Sequence, residues 1–599
     1  MGGRAHSSTA RVDQPAAAPG PHLHYAESMI VLGIADNHDS GAAVVIDGAL
    51  ASAVNQERID RVKLSGAFPW GAIDAALAVA GVKEREVDRV VVGTGFTPST
   101  ALRAFPRMHH DARDRGQFSP LLHAYIVYQS VLRASGLHML EVDASQALLE
   151  KRLKSERPFD RAEVAMMDHH QSHAEGAYRT QPYDHCLVLT VDAMGDGTTA
   201  TASLGRGGQL DLLWRQSGLA AIGTFYSRVT QMLGFRPVRH EGKITGLAAY
   251  ATPPPALVRH FKKRLAFVGP GFTRGSIRRS DRPDDPFWRE ITRYSREEVA
   301  AAAQHVLEDA VVDFVSFWAR RTDCGNLAVA GGVFANVKLN QRLHELDVVD
   351  RLWVIPHMGD GGLAAGAALA AAGAAPRQLA DAYLGPGFSE RDAYKALKRG
   401  ELSFEGLGRE ASDGPVAGDV ERAAQILAEG KVVARCDGRM EWGPRALGNR
   451  SVLVRPHDPT VNTWLNDKLS RSEFMPFAPV VRAEDADRFF VGVEPARDAA
   501  RFMTACFRCT DAFRAQAPAA VHVDGTARPQ LVDAATNPSL HACLTRVGEL
   551  TGSPVLVNTS FNLHEEPIVC SPSDAVRAFK QARLDALWLG PYVATLPSG

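Results

Sequence analysis

The 599-residue chain lacks the features that mark membrane, secreted or polyanion-coating proteins. No uninterrupted apolar run approaches the roughly 20 residues that cross a bilayer, so no membrane partner is expected. Cysteine is scarce: seven residues, an odd number thinly spread, exclude a disulfide framework and lead us to expect a reducing, cytoplasmic setting. The one close pair, Cys506 and Cys509 in "TACFRCT", has no second pair or nearby histidine to complete a zinc site and reads as small core residues. Excess charge is also missing. A formal net charge of -1 argues against a nucleic-acid surface, while small anions stay open as ligands.

What is present is an ordinary globular composition, 45% hydrophobic and 23% charged, in a chain too long for one core. Residues 1–27 are rich in Ala, Pro, Gly and Ser without an apolar stretch and read as a disordered extension. From residue 28 an apolar run, a polar turn and two further strand-like runs follow, the latter joined by Asp47-Gly48, the dipeptide of a tight hairpin. "CLVLTVDAMGDGTTATASLGRGGQLDLLWRQ", from Cys186, repeats that plan and suggests an internal duplication. Two such turns facing each other would grip a phosphate chain, a layout that resembles the actin and sugar-kinase ATPase fold.

"NLAVAGGVFANVKLNQRL" reads as a strand, a Gly331-Gly332 turn and a helix from near Ala335, with Gly331, Gly332 and Asn336 expected against a nucleotide. "HMGDGGLAAGAALAAA" holds Asp360 at a strand end before an Ala-rich helix. Residues 82–160 read as a mostly helical insertion, 396–420 as a linker, and 421–599 as a second domain.

The stretch "DHHQSHAEGAYRT" carries three histidines in five positions. With Asp168 as cap, His169 and His173 fall one turn apart on one face, where two imidazoles can meet one divalent ion, and His170 points elsewhere. Asp192 and Asp360, each in an Asp/Gly turn, are the carboxylates best placed to complete the shell. Isolated histidines more often cap helices or bond inside a core; three together with Asp-rich turns favour metal. "HQSH" lacks the glutamate of a zinc protease, which sets peptide hydrolysis aside. Glu241 and Lys243 in "HEGKITGLAAY" suit either a phosphate-lined cleft or a surface turn.

In the second domain Arg439, Arg445 and Arg450 stand among glycines, prolines and strand residues, a frame suited to bidentate recognition of phosphate or carboxylate. Lys468, Arg471, Arg528, Asn558, Ser560 and Asn562 lie in further polar loops. One or two of these arginines are expected merely to pair with Glu441, Asp467, Glu473 or Asp524.

"GIADNHDSGAAVVIDG", "QERIDRVK", "HHQSHA", "HEGKITGLAAY", "GRMEWGPRALGNRS" and "NTSFN" together resemble the O-carbamoyltransferases of the NodU and CmcH type, over nearly the whole chain. The resemblance implies an α/β protein with two parts: an actin-like ATPase domain (duplicated ribonuclease H-like, residues 28–395) and a C-terminal YrdC-like α/β domain. It implies that carbamoyl phosphate and ATP, with Mg, form carbamoyl adenylate in the second domain, and that the first domain passes the carbamoyl group to the hydroxyl of a small-molecule natural product. It also implies an iron-like divalent metal, Fe(II), on His169, His173, Asp192 and Asp360. His38 is implied as the base for the acceptor hydroxyl or as a group that orients it. Arg445, Arg450, Lys468, Arg528 and Ser560 are implied as phosphate ligands. In "KLSRSEFMPFAP", Met475 stands where that family pattern leads us to expect an arginine. A tRNA-modifying transferase of the carbamoyl-adenylate type is disfavoured by the neutral charge, and a nucleotide sensor without turnover by the second set of anion loops. A homodimer is left open.

Overall fold

The computed structural model describes residues 29–105, 120–220, 222–273, 285–406, 417–469 and 474–597. The expected N-terminal extension, part of the expected linker and Arg471 lie outside the described residues.

The first sheet comprises β1 (Ile30–Ala35), β2 (Gly41–Ile46), β3 (Ala49–Asn55), β4 (Arg89–Val92) and β5 (Glu163–Met166), in the spatial order β3-β2-β1-β4-β5. The hairpins β1-β2 and β2-β3 are antiparallel, whereas β4 and β5 join in parallel. At the β2-β3 turn both Asp47 (φ 49°) and Gly48 (φ 76°) are left-handed, the backbone that a two-residue hairpin requires. The second sheet comprises β6 (His185–Gly195), β7 (Thr198–Arg206), β8 (Gln209–Ser217), β9 (Asn326–Ala330) and β10 (Arg351–Val354), ordered β10-β9-β6-β7-β8. Its pairings have the same senses in the same places. The two halves are therefore one topology used twice, as the repeated strand-turn-hairpin text suggested, and the domain has the actin-like duplicated form.

Between the sheets lie two helices that carry the site, His169–Arg179 and Leu363–Ala371. They approach backbone to backbone: a Cβ on Gly366 would lie 1.9 Å from Ser172 O, and one on Gly33 of β1 equally close to Ala364 O. The small-residue text "LAAGAALAA" is what allows this contact, and larger side chains would push the histidine helix off the sheet. Residues 82–160 are less helical than expected, because β4 sits within them at the centre of the first sheet. The described helices there are Thr100–Ala104, Pro120–Ser135 and His138–Glu156.

The C-terminal domain is built on a mixed eight-stranded sheet, ordered Ser403–Gly406, Tyr592–Thr595, Ala586–Leu589, Val433–Cys436, Arg450–Val454, Val555–Ser560, Ala478–Arg482, Gln530–Val532. Helices Gly418–Ala428 and Pro538–Thr551 cover one face. Helices Glu390–Arg399, Val461–Lys468 and Pro572–Ala582 cover the other. This corrects the boundary read from sequence. The helix at 390–399 and the strand at 403–406, assigned there to the end of the first domain and to the linker, are integral to the second, since Ser403–Gly406 pairs with Tyr592–Thr595.

A smaller sheet of Phe490–Val491, Phe507–Cys509 and Thr526–Ala527 packs into the same apolar cluster as β6, β9 and helix Arg296–Thr322 of the first domain. The domains thus share a core. Polar clamps reinforce it: Arg58 donates to Gly443 O, and Arg61 to the carbonyls of Pro567 and Ile568. All seven cysteines are free, and Cys506 and Cys509 are buried.

Candidate active site

Asp168 caps the histidine helix by accepting from Gln171 N, and its other oxygen receives Arg133. One turn of helix then sets His169 and His173 side by side, with ring centroids 4.8 Å apart. Their Nε2 atoms face Asp192 Oδ2 at 3.4 and 3.2 Å and Asp360 Oδ1 at 3.7 and 3.6 Å. The four donor atoms lie within 4.8 Å of one another, the one such group among the described residues. His170 turns away as expected and bonds Thr190 Oγ1 and Thr198 O.

These donors suit a divalent transition ion. Two imidazole nitrogens and two carboxylate oxygens, 3.2–3.7 Å apart across each histidine–aspartate pair, suit a shell of ligands about 2.0–2.2 Å from a common centre. The outer oxygens are already used: Asp192 Oδ1 accepts from Ala193 N at 2.6 Å, and Asp360 Oδ2 from Asn37 Nδ2 at 2.8 Å. Each carboxylate is thereby turned so that its second oxygen faces the histidines, an orientation that ligating carboxylates need. Gly195 lies flat on the His169 ring, where a Cβ would come within 2.1 Å of Cγ.

Electrostatics agree with a cation-seeking site. Burial works against charging the His169 ring, yet Asp360 and Asp192 lift it to about 9. Burial would raise the two aspartates; the charges of His38 and His169 outweigh it at Asp360, and hydrogen bonds from His169 and His173 do so at Asp192, so both stay below the usual carboxylate range. Burial, then the neighbouring His169 and His173, drives His170 down to about 3 and keeps it neutral.

His38 Nδ1 stands 3.1 Å from Asp360 Oδ2, and its side chain is 37% exposed. It is therefore attached to a carboxylate of the cluster while reaching the open side of the site. Asn37 and Asp196 do comparable work and were not singled out in the sequence. Asp196, left-handed at the β6-β7 turn, accepts from Gly95, Phe96 and His169 backbone N–H groups and so ties the histidine helix to the first sheet. The Asp/Gly turn "MGDGTT" was its only local signal, and the partners 101 residues away were not visible in it.

The expected nucleotide contacts divide. Gly332 borders the cluster, with Asp192 Oδ1 3.1 Å from where its Cβ would lie. Gly331 (φ 105°) packs on β6 instead, since a Cβ there would lie 2.2 Å from Val191 O. Asn336 caps helix Val337–His344 by accepting from Leu339 N, and its amide exchanges hydrogen bonds with Gln304. Glu241 accepts from Ser227 Oγ and Val238 N, and burial pushes its carboxyl up; the buried Lys243 lies 6.0 Å from the Phe235 ring.

The cations of the second domain divide more sharply. Arg450 is fully buried and donates to the carbonyls of Asp437, Gly438, Asn449 and Cys570; it holds the strand ends rather than a ligand. Arg439 donates to Ala51, Leu384 and Gly385 carbonyls, bridging the domains. Lys468 lies 3.6 Å from Asp585 at the surface. In all three the partners present are carbonyl or carboxylate acceptors supplied by distant segments.

Arg445 and Arg528, together with Lys338, act on the buried Cys506 thiol and oppose the burial that pushes it up to about 11. Asn558 donates to Gln530 Oε1 and Ala446 O. Ser560 ends the adjoining strand Val555–Ser560, and Asn562 donates to Leu563 and Glu566 carbonyls. Glu441 accepts from the Leu447, Asn449 and Arg450 N–H groups instead of pairing with an arginine, and so shapes the loop that presents Arg445.

Comparison with known proteins agrees with this two-part layout. The family model described as Carbamoyltransferase N-terminus matches residues 30–369, and Carbamoyltransferase C-terminus matches residues 424–595. A Synechocystis protein recorded as uncharacterized is 33% identical over 94% of this chain and 96% of its own. Nodulation protein NolNO of Sinorhizobium fredii is 31% identical over 93% of this chain and 78% of its own. Among solved structures, component A of the (R)-2-hydroxyglutaryl-CoA dehydratase of Acidaminococcus fermentans matches 57% of this chain and 97% of its own, at 14% identity and a TM-score of 0.34. With both family models matched in order, on either side of the junction where the fold itself divides, the chain belongs to the carbamoyltransferase family and is a carbamoyltransferase.

Proposed function

We propose that the enzyme is an ATP-dependent O-carbamoyltransferase with two chemical steps in two places. In the C-terminal, YrdC-like domain, water cleaves carbamoyl phosphate to carbamate and phosphate, and a carbamate oxygen then attacks the α-phosphorus of ATP, forming carbamoyl adenylate as the α–β anhydride bond breaks and pyrophosphate leaves. In the N-terminal domain the hydroxyl oxygen of a small natural-product alcohol attacks the carbamoyl carbon, the anhydride C–O bond breaks, and AMP departs. The observation that carries this reading is the pairing of the His169, His173, Asp192 and Asp360 cluster with His38, which joins a two-histidine, two-carboxylate donor set for a divalent ion to an imidazole at its open edge.

A divalent ion, Fe(II) in our reading, held by the Nε2 atoms of the two histidines and by one oxygen of each aspartate, would neutralise phosphate charge on the leaving AMP. His38 contributes in its own right. Its Nδ1 is oriented by Asp360, which leaves Nε2 to take the proton of the attacking hydroxyl. Arg445 and Arg528 would hold the phosphates of the adenylating step, where Mg accompanies ATP, because paired guanidinium groups match phosphate oxygens.

The test combines ATP, carbamoyl phosphate and a panel of alcohols, with pyrophosphate release and a mass gain of one carbamoyl group as readouts. The reading expects pyrophosphate without any alcohol and carbamoylated product with the right one. Absence of pyrophosphate in the presence of divalent metal would leave a different carbamoyl donor.

A further inference from the structure

We propose that Lys338, which belongs to the first domain, is a phosphate-binding residue of the second domain's anion site, so that this site is completed across the domain boundary. The proposal rests on the adenylation reading above for the identity of the ligand, and on geometry for the residue.

Lys338 lies in the first turn of helix Val337–His344, six residues after Gly332, the glycine that borders the metal-type cluster. Its Nζ donates to Gln341 Oε1 of its own helix at 2.7 Å and crosses into the second domain to meet Asp524 Oδ2 at 2.8 Å and Thr526 Oγ1 at 3.3 Å. Asp524 and Thr526 belong to "HVDGTARPQ", the loop that also carries Arg528. The backbone beside it is pinned: Cys506 N donates to Val337 O, and Asn340 Nδ2 to Thr504 O. Lys338 of the first domain and Arg528 and Arg445 of the second all act electrostatically on the buried Cys506 thiol, as Asp524 does with the opposite sign.

A plain interdomain ion pair would account for Lys338 and Asp524 but not for their surroundings. His522, two residues before Asp524, is 4% exposed and hydrogen-bonds through neither ring nitrogen. Its Nδ1 is 3.4 Å from Asp524 Oδ1 but poorly aligned, and its ring meets Tyr250 of the first domain edge-on. A buried imidazole whose ring nitrogens have no neighbour better than Asp524, the carboxylate that Lys338 also meets, leaves hydrogen-bonding capacity that a polar anionic ligand can use. The chemistry it selects is a phosphoryl group. When one enters, Lys338 can exchange Asp524 for a phosphate oxygen, while Asp524 keeps the N–H and hydroxyl of Thr526 on Oδ1.

The experiment compares full-length wild type with Lys338→Met and Lys338→Arg, reading KM for carbamoyl phosphate and for ATP in the pyrophosphate assay. Inorganic phosphate binding is followed separately by calorimetry. Loss of one charge-assisted phosphate contact should raise the KM of whichever substrate it holds by about tenfold or more, weaken phosphate binding by a similar factor, and be largely rescued by arginine. The KM that moves tells carbamoyl phosphate from ATP. Asp524→Asn breaks the same pair from the other side and is expected to lower thermal stability without raising that KM. If Lys338→Met lowers stability as Asp524→Asn does while both KM values and phosphate binding stay within about twofold of wild type, the lysine is only a domain fastener and the proposal is wrong. A wild-type chain that binds phosphate through Lys338 but releases no pyrophosphate would overturn the adenylation reading and leave the site standing.

Discussion

At the scale of residues, the account divides labour between two sets of side chains. His169→Ala or His173→Ala should remove bound metal and carbamoyl transfer while pyrophosphate release continues, checked by metal analysis and by the two product assays. Because His169 sits at about 9 in the metal-free cluster, an entering ion must displace its proton; apparent metal affinity should therefore rise as pH is raised toward about 9, with proton release on binding. Lys468→Ala should leave pyrophosphate release within about twofold of wild type, since a surface pair contributes little. Arg450→Met should instead cost about 3 kcal/mol or more of stability by orphaning the five carbonyls it serves, those of Pro386, Asp437, Gly438, Asn449 and Cys570, read as a lower midpoint in denaturant. This contrast marks what was legible. Histidines one helical turn apart and aspartates in Asp/Gly turns announce their geometry locally, and all four converge. An arginine's partner depends on which distant carbonyls reach it, so "GRMEWGPRALGNR" showed that its cations are held without showing by what.

At the scale of elements, the site depends on close approach. Gly195→Ala would drive a methyl group into the His169 ring, and we expect metal content to fall with little change in the pyrophosphate reaction, measured on the same preparation. The duplicated sheets were readable because each half repeats an apolar run, a polar turn and a hairpin, which local propensity and pattern both support. β4 was hidden because four residues, "RVVV", lie beside a long helical stretch, and only pairing with β1 and β5 makes them a central strand. The strand Ser403–Gly406 was missed for the same reason: its partner Tyr592–Thr595 is nearly 190 residues away.

At the scale of the whole molecule, the shared apolar core and the crossing arginines argue that the domains unfold together. Calorimetry should show one main transition, whereas two well-separated transitions would mean the shared cluster contributes little. Acid should weaken the fold through two buried neutral imidazoles. Burial, reinforced by His169 and His173, holds His170 to about 3, and burial with the Arg58 charge does the same for His357. Unfolded, both rings take up protons below about 6.5, so their contribution is complete above that pH and is lost as pH falls from about 6.5 toward about 3. Melting temperatures measured across that window should decline.

The central claim is that one chain makes an acyl adenylate in its second domain and consumes it in its first. The most direct measurement follows pyrophosphate, carbamoyl adenylate and carbamoylated alcohol by mass spectrometry in the His169→Ala and Arg528→Ala proteins. The account predicts that His169→Ala accumulates adenylate and pyrophosphate without product, and that Arg528→Ala forms none of the three. Product formation by His169→Ala at the wild-type rate, or adenylate formation by Arg528→Ala at that rate, would contradict it.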